Sequence, residues 1–400
     1  MIFAASTMLL FAACNKEDNN VYTINGDQIT FGISMDEPQS ADKQTYVGTN
    51  NRIWFNAGDQ IYVNQVACLV NPQAVEGSSA TSSSLSSQAR VTATISSTGS
   101  YDFVYPAGPI QFDGTQYKGT FPDAVQAINA AVNNQLDANF PTYPEHSAPL
   151  WPMYYGISDI STQTSRIKLL NACSFLAPAY IYGPEFANAV FGPFVAPGTE
   201  FGVNADVPTL NLKEVKVRTT IPLYGPAHLD YSTMSNPKMV MDATMPNCGY
   251  QVLHMQMGGL LGTQIHYNPT MQRFDIPGMV PIAPRDNASM TLRMSSSFFV
   301  NLGTDAAPQY LFLCYVTNPK SLERATLARN KVNLLKVNFN TIGDQDENDG
   351  WSYVTPRADI IANGEGVIRI AGGLLFVSRT QAHVKTWLED PANNFQMYEE

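Results

Sequence analysis

Charge is scarce in this 400-residue chain: Asp, Glu, Lys and Arg together make up 14%, against about a quarter in an ordinary globular protein. The 23 Lys and Arg are outnumbered by 34 Asp and Glu, giving a net charge of −11. No segment gathers the basic side chains needed to neutralise phosphates, so nucleic acid is not an expected partner. Long apolar runs are also missing. The run at residues 2–11 is too short to cross a bilayer, and no later stretch is long and apolar enough. The motifs of the common chemistries are absent: there is no Gly-x-Ser-x-Gly elbow, no glycine-rich phosphate loop and no His-Glu-x-x-His pair. The five histidines (His146, His228, His254, His266, His383) stand apart from one another. No enzymatic activity and no cofactor are expected.

Cysteine is sparse as well, with five in the chain. Cys68, Cys173, Cys248 and Cys314 are widely scattered. Export would allow pairing, but no spacing points to a disulfide framework or a zinc site. Cys173 and Cys314 lie inside apolar runs and read as small buried hydrophobes. Cys248, His254 and His266 are the nearest approach to a ligand set, and strands scatter such residues onto opposite faces. The acidic stretch 344–350 has oxygen ligands at alternate positions but lacks the glycine at the sixth place and the glutamate at the twelfth, so a solvated turn is its default reading.

Cys14 is the exception. It follows the apolar run 2–11 and the small residues Ala12 and Ala13, and precedes Asn15, Lys16, Glu17 and Asp18. This is the pattern of an export signal, with a cysteine in the first mature position that takes lipid through its sulfur. No Lys or Arg precedes the run, which places a basic leader, if there is one, upstream. Several acyl chains together hold a protein stably at a membrane, each buried CH₂ adding about 0.8 kcal/mol. The expected address is the outer membrane, facing the cell surface, with the chain tethered rather than spanning.

Aromatic residues (11%), 27 Gly and 26 Pro favour strands and turns over amphipathic helices. Period-two patterns predict strands at 29–33, 52–55, 60–63, 90–95, 101–106, 167–170, 210–219, 251–257, 290–294, 298–302, 310–316 and 332–339. Asn56, Ala57, Gly58 and Asp59 supply a tight turn between 52–55 and 60–63. Residues 77–88, rich in serine, read as a loop. Residues 123–138, with Asp123 as N-cap, are the best helix candidate. Residues 341–400 differ from the rest: an acidic loop, two strand patterns flanking Gly372 and Gly373, and a short helical pattern at 384–388. Tyr143, Trp151, Tyr154 and Tyr155 crowd a proline-rich stretch, where they would either cap a domain contact or stack on sugars.

Several landmarks resemble the fimbrillin family, the lipoprotein subunits of type V pili and their adhesin-like relatives. They are Trp54 with Gly58-Asp59 and the strand after it, the tyrosine-rich stretch Tyr101 to Pro106, and Met153-Tyr154-Tyr155-Gly156. The pair of strands over 167–182, residues 274–284 and residues 331–339 follow in the family's order, over about residues 1–340. The resemblance implies an all-β fold of two tandem transthyretin-like β-sandwich domains, with a short helix and a C-terminal extension. The expected divisions are a signal at 1–14, domains at 15–160 and 161–340, and the extension at 341–400.

It also implies assembly by strand exchange, in which an N-terminal strand is cut away and its groove accepts a strand from another subunit. Ile29, Phe31 and Ile33 are the residues expected to fill that groove. Arg52, the first arginine, with none after it until Arg90, is the candidate processing site. In the extension, Val367, Ile368, Ile370, Leu374 and Phe376 are the candidate donor strand. The implied partners are other pilus subunits, the outer membrane through the lipid anchor, and a surface ligand or glycan. The alternative is a monomeric surface lipoprotein that binds glycans.

Overall fold

The computed structural model describes residues 27–40, 45–46, 55–56, 58–72, 85–86, 88–95, 99–121, 124–127, 153–160, 167–202, 207–246, 249–257, 262–268, 273–275, 278–340 and 351–390. Strands dominate, as expected. Among the described residues only three short α-helices occur, Pro184–Val190, Arg357–Asn363 and Gln381–Glu389, and no helix is long and apolar enough to cross a membrane.

Two large assemblies share a middle layer. Seven strands close into a barrel in the order Asp27–Met35, Ile167–Asn171, Tyr154–Ile160, Gly99–Tyr105, Gln60–Val63, Val66–Pro72 and Gln88–Ile95. A ten-stranded sheet runs through Ala124–Ala127, Gln251–Met257, Asn211–Thr219, Arg285–Asn301, Tyr310–Thr317, Gly373–Ser378, Glu365–Ile370 and Ser352–Tyr353; Thr263–Gln264 and Lys320–Leu327 pair off this path. Between them lies a four-stranded sheet: Gln39–Ser40, Lys331–Asn338, Ser174–Ile181 and Val280–Ile282. A further four-stranded sheet joins Gln111–Phe112 and Tyr117–Phe121 to Gly225–Asp230 and Lys238–Met241.

The alternating apolar residues explain the layers. From the ten-stranded sheet, Val215, Val217, Leu253, Met255, Phe298, Val300, Leu313 and Tyr315 point into one core. Leu176 and Tyr180 of the middle sheet meet them there, while Phe175 and Ala177 of the same strand turn into the barrel core. Ser174–Ile181 is thus covered on both faces, which is why it reads as a nearly continuous apolar run. The barrel includes Ile167–Asn171, and Ala124–Ala127 borders the ten-stranded sheet, so strand pairing crosses the expected division at residue 160 in both directions.

Three expectations are corrected. Gln60–Val63 pairs with Val66–Pro72, not with a strand at 52–55. The turn is Asn64-Gln65, both left-handed at φ 46° and 74°, the two-residue geometry that suits strand twist. Phe55–Asn56 instead pairs with Leu85–Ser86. The start of the expected helix at 123–138 is a strand, Ala124–Ala127, held parallel to Gln251–Met257. Pairing with a sheet edge overrides the local preference there; residues 128–138 lie outside the described residues. Finally, the strands expected at 290–294 and 298–302 are one 17-residue strand, Arg285–Asn301. Its serines do not break it: Ser295 and Ser296 are buried, and Ser296 is hydrogen-bonded to the Tyr180 hydroxyl.

Candidate functional site

The N-terminal strand Asp27–Met35 sits in the barrel wall, antiparallel to Gln88–Ile95 over eight residue pairs and parallel to Ile167–Asn171 over three. Its pattern places Ile29, Phe31, Ile33 and Met35 on one face, all buried, while Gln28 and Thr30 are exposed. Phe31 meets the Phe103 ring edge-on at 5.4 Å, and Val91, Ala93, Ile95, Ile167 and Leu169 complete the same core. Burying a side chain of this size contributes about 1.5–3 kcal/mol. The four together amount to roughly 6–12 kcal/mol, comparable with the net stability of a whole domain.

A polar clasp holds the strand where it leaves the barrel. Asn330, buried and left-handed at φ 57°, donates from Nδ2 to Asp36 Oδ2 (2.9 Å) and to the Glu37 carbonyl (3.0 Å). Its own Oδ1 accepts from Asn171 Nδ2 at 3.2 Å. The Gln39 amide donates to the Asn330 carbonyl at 3.0 Å, and the Asp36 amide to the Leu169 carbonyl at 2.9 Å. Lys168 Nζ lies 3.0 Å from Asp36 Oδ1. Arg329 Nη1 donates to the Asn171 carbonyl at 2.7 Å, so residues 36–39, 168–171 and 329–331 form one bonded junction. Asp36 and Asn330 carry no sequence signal for this role, because the 294 positions that separate them are bridged only by the fold.

The Gly58-Asp59 step and the Tyr101–Pro106 stretch, distant in sequence, meet in space. Gly58 has φ 90°, a conformation L side chains rarely adopt. Asp59 then accepts a hydrogen bond from the Tyr105 hydroxyl, and Phe55 packs edge-on against the Tyr105 ring at 5.1 Å. Burial, together with the bond to Asp59 and its charge, pushes the Tyr105 phenol well above its ordinary value. The peptide between Tyr105 and Pro106 is cis. Cys14, Arg52 and Trp54 lie outside the described residues.

The tail hairpin is built into the ten-stranded sheet. Gly373–Ser378 pairs antiparallel with Tyr310–Thr317, and Glu365–Ile370 with Gly373–Ser378. The turn, Ala371-Gly372, has φ 49° and 67°. Ile368 and Ile370, with Leu375 and Val377, face the large core. Val367, Leu374 and Phe376 face the other way and pack with Cys314, Val316 and the helix Gln381–Glu389, where Phe376 stacks on Trp387 at 5.1 Å. The expected helical pattern at 384–388 is this helix.

Other candidates are dispersed. His254 Nε2 lies 3.3 Å from Glu214 Oε2, and Lys216 Nζ 3.0 Å from Glu214 Oε1. Desolvation pushes the Glu214 carboxyl up, but the His254 bond and the Lys216 charge outweigh it and hold the carboxyl at about 2. No group of three or more metal-ligating side chains occurs among the described residues; Cys248 and the acidic stretch 344–350 lie outside them. Cys68, Cys173 and Cys314 are free thiols, and burial pushes Cys173 and Cys314 up to about 12. Tyr154 and Tyr155 are buried, so neither presents a ring to a sugar; Tyr143 and Trp151 lie outside the described residues.

No family model matches the chain, and no curated protein does. Among solved structures, it is similar to a candidate cell adhesion protein from Bacteroides ovatus, with 10% identity over 78% of this chain and 93% of that one, TM-score 0.35. A fimbrial assembly protein from Parabacteroides distasonis shows 8% identity over 88% of this chain and 99% of that one, TM-score 0.29. A candidate cell adhesion protein from Bacteroides fragilis gives 11% identity over 78% and 93%, TM-score 0.29. At such identities, with TM-scores below 0.5, these likenesses decide neither family nor role.

Proposed function

We propose that the chain is a fimbrillin-like cell-surface protein, a structural or adhesive component of a pilus, whose N-terminal strand is a removable filler. In this reading Cys14 carries the lipid that tethers the chain to the outer membrane, and cleavage after Arg52 frees the barrel to accept a strand from another subunit.

The observation that supports it is the seating of Asp27–Met35. The strand precedes every other described element, it fills one wall of the barrel with four apolar side chains, and its tip is gripped by Asn330. Its departure would leave Gln88–Ile95 and Ile167–Asn171 with unpaired edges over an open apolar floor. Such an edge invites an extended peptide that restores main-chain hydrogen bonds and places alternate side chains in the vacated pockets.

The test uses the full chain nicked at Arg52 by an Arg-specific protease, so that the N-terminal fragment is held only by its contacts. A fluorescent peptide of residues 27–40 should then exchange into the nicked protein and not into the uncut one. Equal uptake by both, or none by the nicked form, overturns the reading. Mass spectrometry of the mature N-terminus from cells distinguishes the tethered form, beginning at lipidated Cys14, from the processed form, beginning at Ile53.

A further inference from the structure

A subunit that joins both neighbours by strand exchange needs a groove that can be emptied and a strand that is spare. In the strand-exchange reading above, the seat of Asp27–Met35 is that groove. The second requirement is not met by the tail. Every strand described between residues 351 and 390 is in register with its own chain: Ser352–Tyr353 with Glu365–Ile370, Glu365–Ile370 with Gly373–Ser378, and Gly373–Ser378 with Tyr310–Thr317.

Both faces of the hairpin are also in use. Ile368, Ile370, Leu375 and Val377 form part of the large core with Leu311, Leu313 and Tyr315. On the other face Phe376 and Leu374 lie beneath Val384, Trp387 and Leu388 of the tail's own helix.

The fit to the neighbouring strand is specific. A Cβ on Gly373 would stand 2.4 Å from the Val316 carbonyl oxygen, so only glycine allows this approach. The Tyr315 hydroxyl donates to the Ala371 carbonyl. Tyr353 donates to the Ala189 carbonyl at 2.7 Å, and Arg379 Nη2 to the Phe194 carbonyl at 3.0 Å, which ties the tail to a third region of the chain. A strand held this way is part of the wall. Withdrawing it would strip its own chain's core and leave an open apolar edge.

We infer that the tail hairpin of this chain, residues 365–378, is a fixed part of its own fold and not a strand lent to another subunit. The inference rests on the strand-exchange reading above for the groove, while the locked tail stands on its own contacts.

Two measurements test it. Hydrogen exchange on the uncut full chain should show the amides of 365–370 and 373–378 protected as strongly as those of 310–317, within about tenfold, the spread expected inside one cooperative unit. Exchange of the hairpin a thousandfold faster than its neighbour overturns the locked tail. The second uses Phe376→Cys, because Phe376 is the direct register partner of native Cys314 and an oxidised variant would staple the hairpin to its neighbour.

Stapling should change nothing: nicked wild type and nicked, oxidised F376C should match in whether SDS-resistant ladders form, and both should still exchange the labelled 27–40 peptide. Ladders absent from both proteins, or present in both, support a fixed hairpin. Ladders in wild type that vanish on stapling would make the tail a donor and overturn the inference. Failure of the peptide to exchange would strike the groove reading instead, and the hydrogen-exchange result would still decide the tail.

Discussion

At the N-terminal end, Asp27–Met35 buries one face in the barrel and leaves Gln28 and Thr30 exposed on the other. At the C-terminal end, Gly373–Ser378 is covered on both faces, by the large core and by a helix. The N-terminal strand runs on into the polar clasp at Asp36 and Glu37, whereas the hairpin is flanked by helices that pack on it. The two ends carry similar alternating apolar patterns, yet one strand is covered on a single face and the other on both. Affinity for a groove and residence in a fold draw on the same apolar burial, and each of these strands has two paired neighbours; what separates them is how many faces are covered.

The comparison breaks most sharply under truncation. Deleting residues 351–400 removes Ile368, Ile370, Leu375 and Val377 from the core. At about 1.5–3 kcal/mol per buried side chain, the loss rivals the stability of an entire domain. The truncated protein should show no cooperative thermal transition by circular dichroism; a transition near the wild-type temperature would mean the tail is an appendage.

Single aromatic truncations sharpen the contrast. Phe31→Ala and Phe376→Ala should each lower stability by about 3–5 kcal/mol in urea titrations. Only Phe31→Ala should also speed exchange of the 27–40 peptide in nicked protein. If both accelerate it equally, the two ends are not independent.

Acid probes the tail's sheet through Glu214. Its carboxyl is held at about 2 in the folded state, below its ordinary value of 4.5. The stability it contributes is therefore fully present above pH 4.5 and is lost as pH falls toward 2. The urea midpoint should decline across that window, and Glu214→Gln should flatten the decline while lowering stability at pH 7 by roughly 3 kcal/mol, the equivalent of the shift, since it removes the charge that the half-buried Lys216 and His254 pair with.

The smallest effect is expected at the hairpin turn. Ala371 occupies φ 49°, and Ala371→Gly should relieve about 1 kcal/mol of backbone strain. The melting temperature should rise slightly with no change in peptide exchange.

Much of this was legible in period-two patterns. The strands at 90–95, 167–170, 210–219, 251–257 and 310–316 appear where alternation is clean, and Gly366 to Val377 reads as a hairpin. Legibility failed where long-range pairing decides. Ala124–Ala127 has the composition of a helix and becomes a strand only because Gln251–Met257 offers an edge. The Asn64-Gln65 turn lacks glycine, so nothing local marks the strand that follows it. Lys320–Leu327 is mostly exposed and has little apolar alternation to betray it. At the candidate site, the apolar residues Ile29, Phe31 and Ile33 were visible, but Asn330 and Asp36 were not. Polar partners bridged by the fold leave no periodicity behind.

One strand already described governs how the molecule should respond as a whole. Ser174–Ile181 sends Phe175 and Ala177 into the barrel and Leu176 and Tyr180 into the core under the ten-stranded sheet, with adjacent residues facing opposite cores. Interiors packed this densely pass a displacement on rather than absorb it. A barrel whose first strand has been drawn out and replaced would report that event one residue away, on the far side of a shared partition. For the same reason the two cores should melt as one calorimetric peak rather than two.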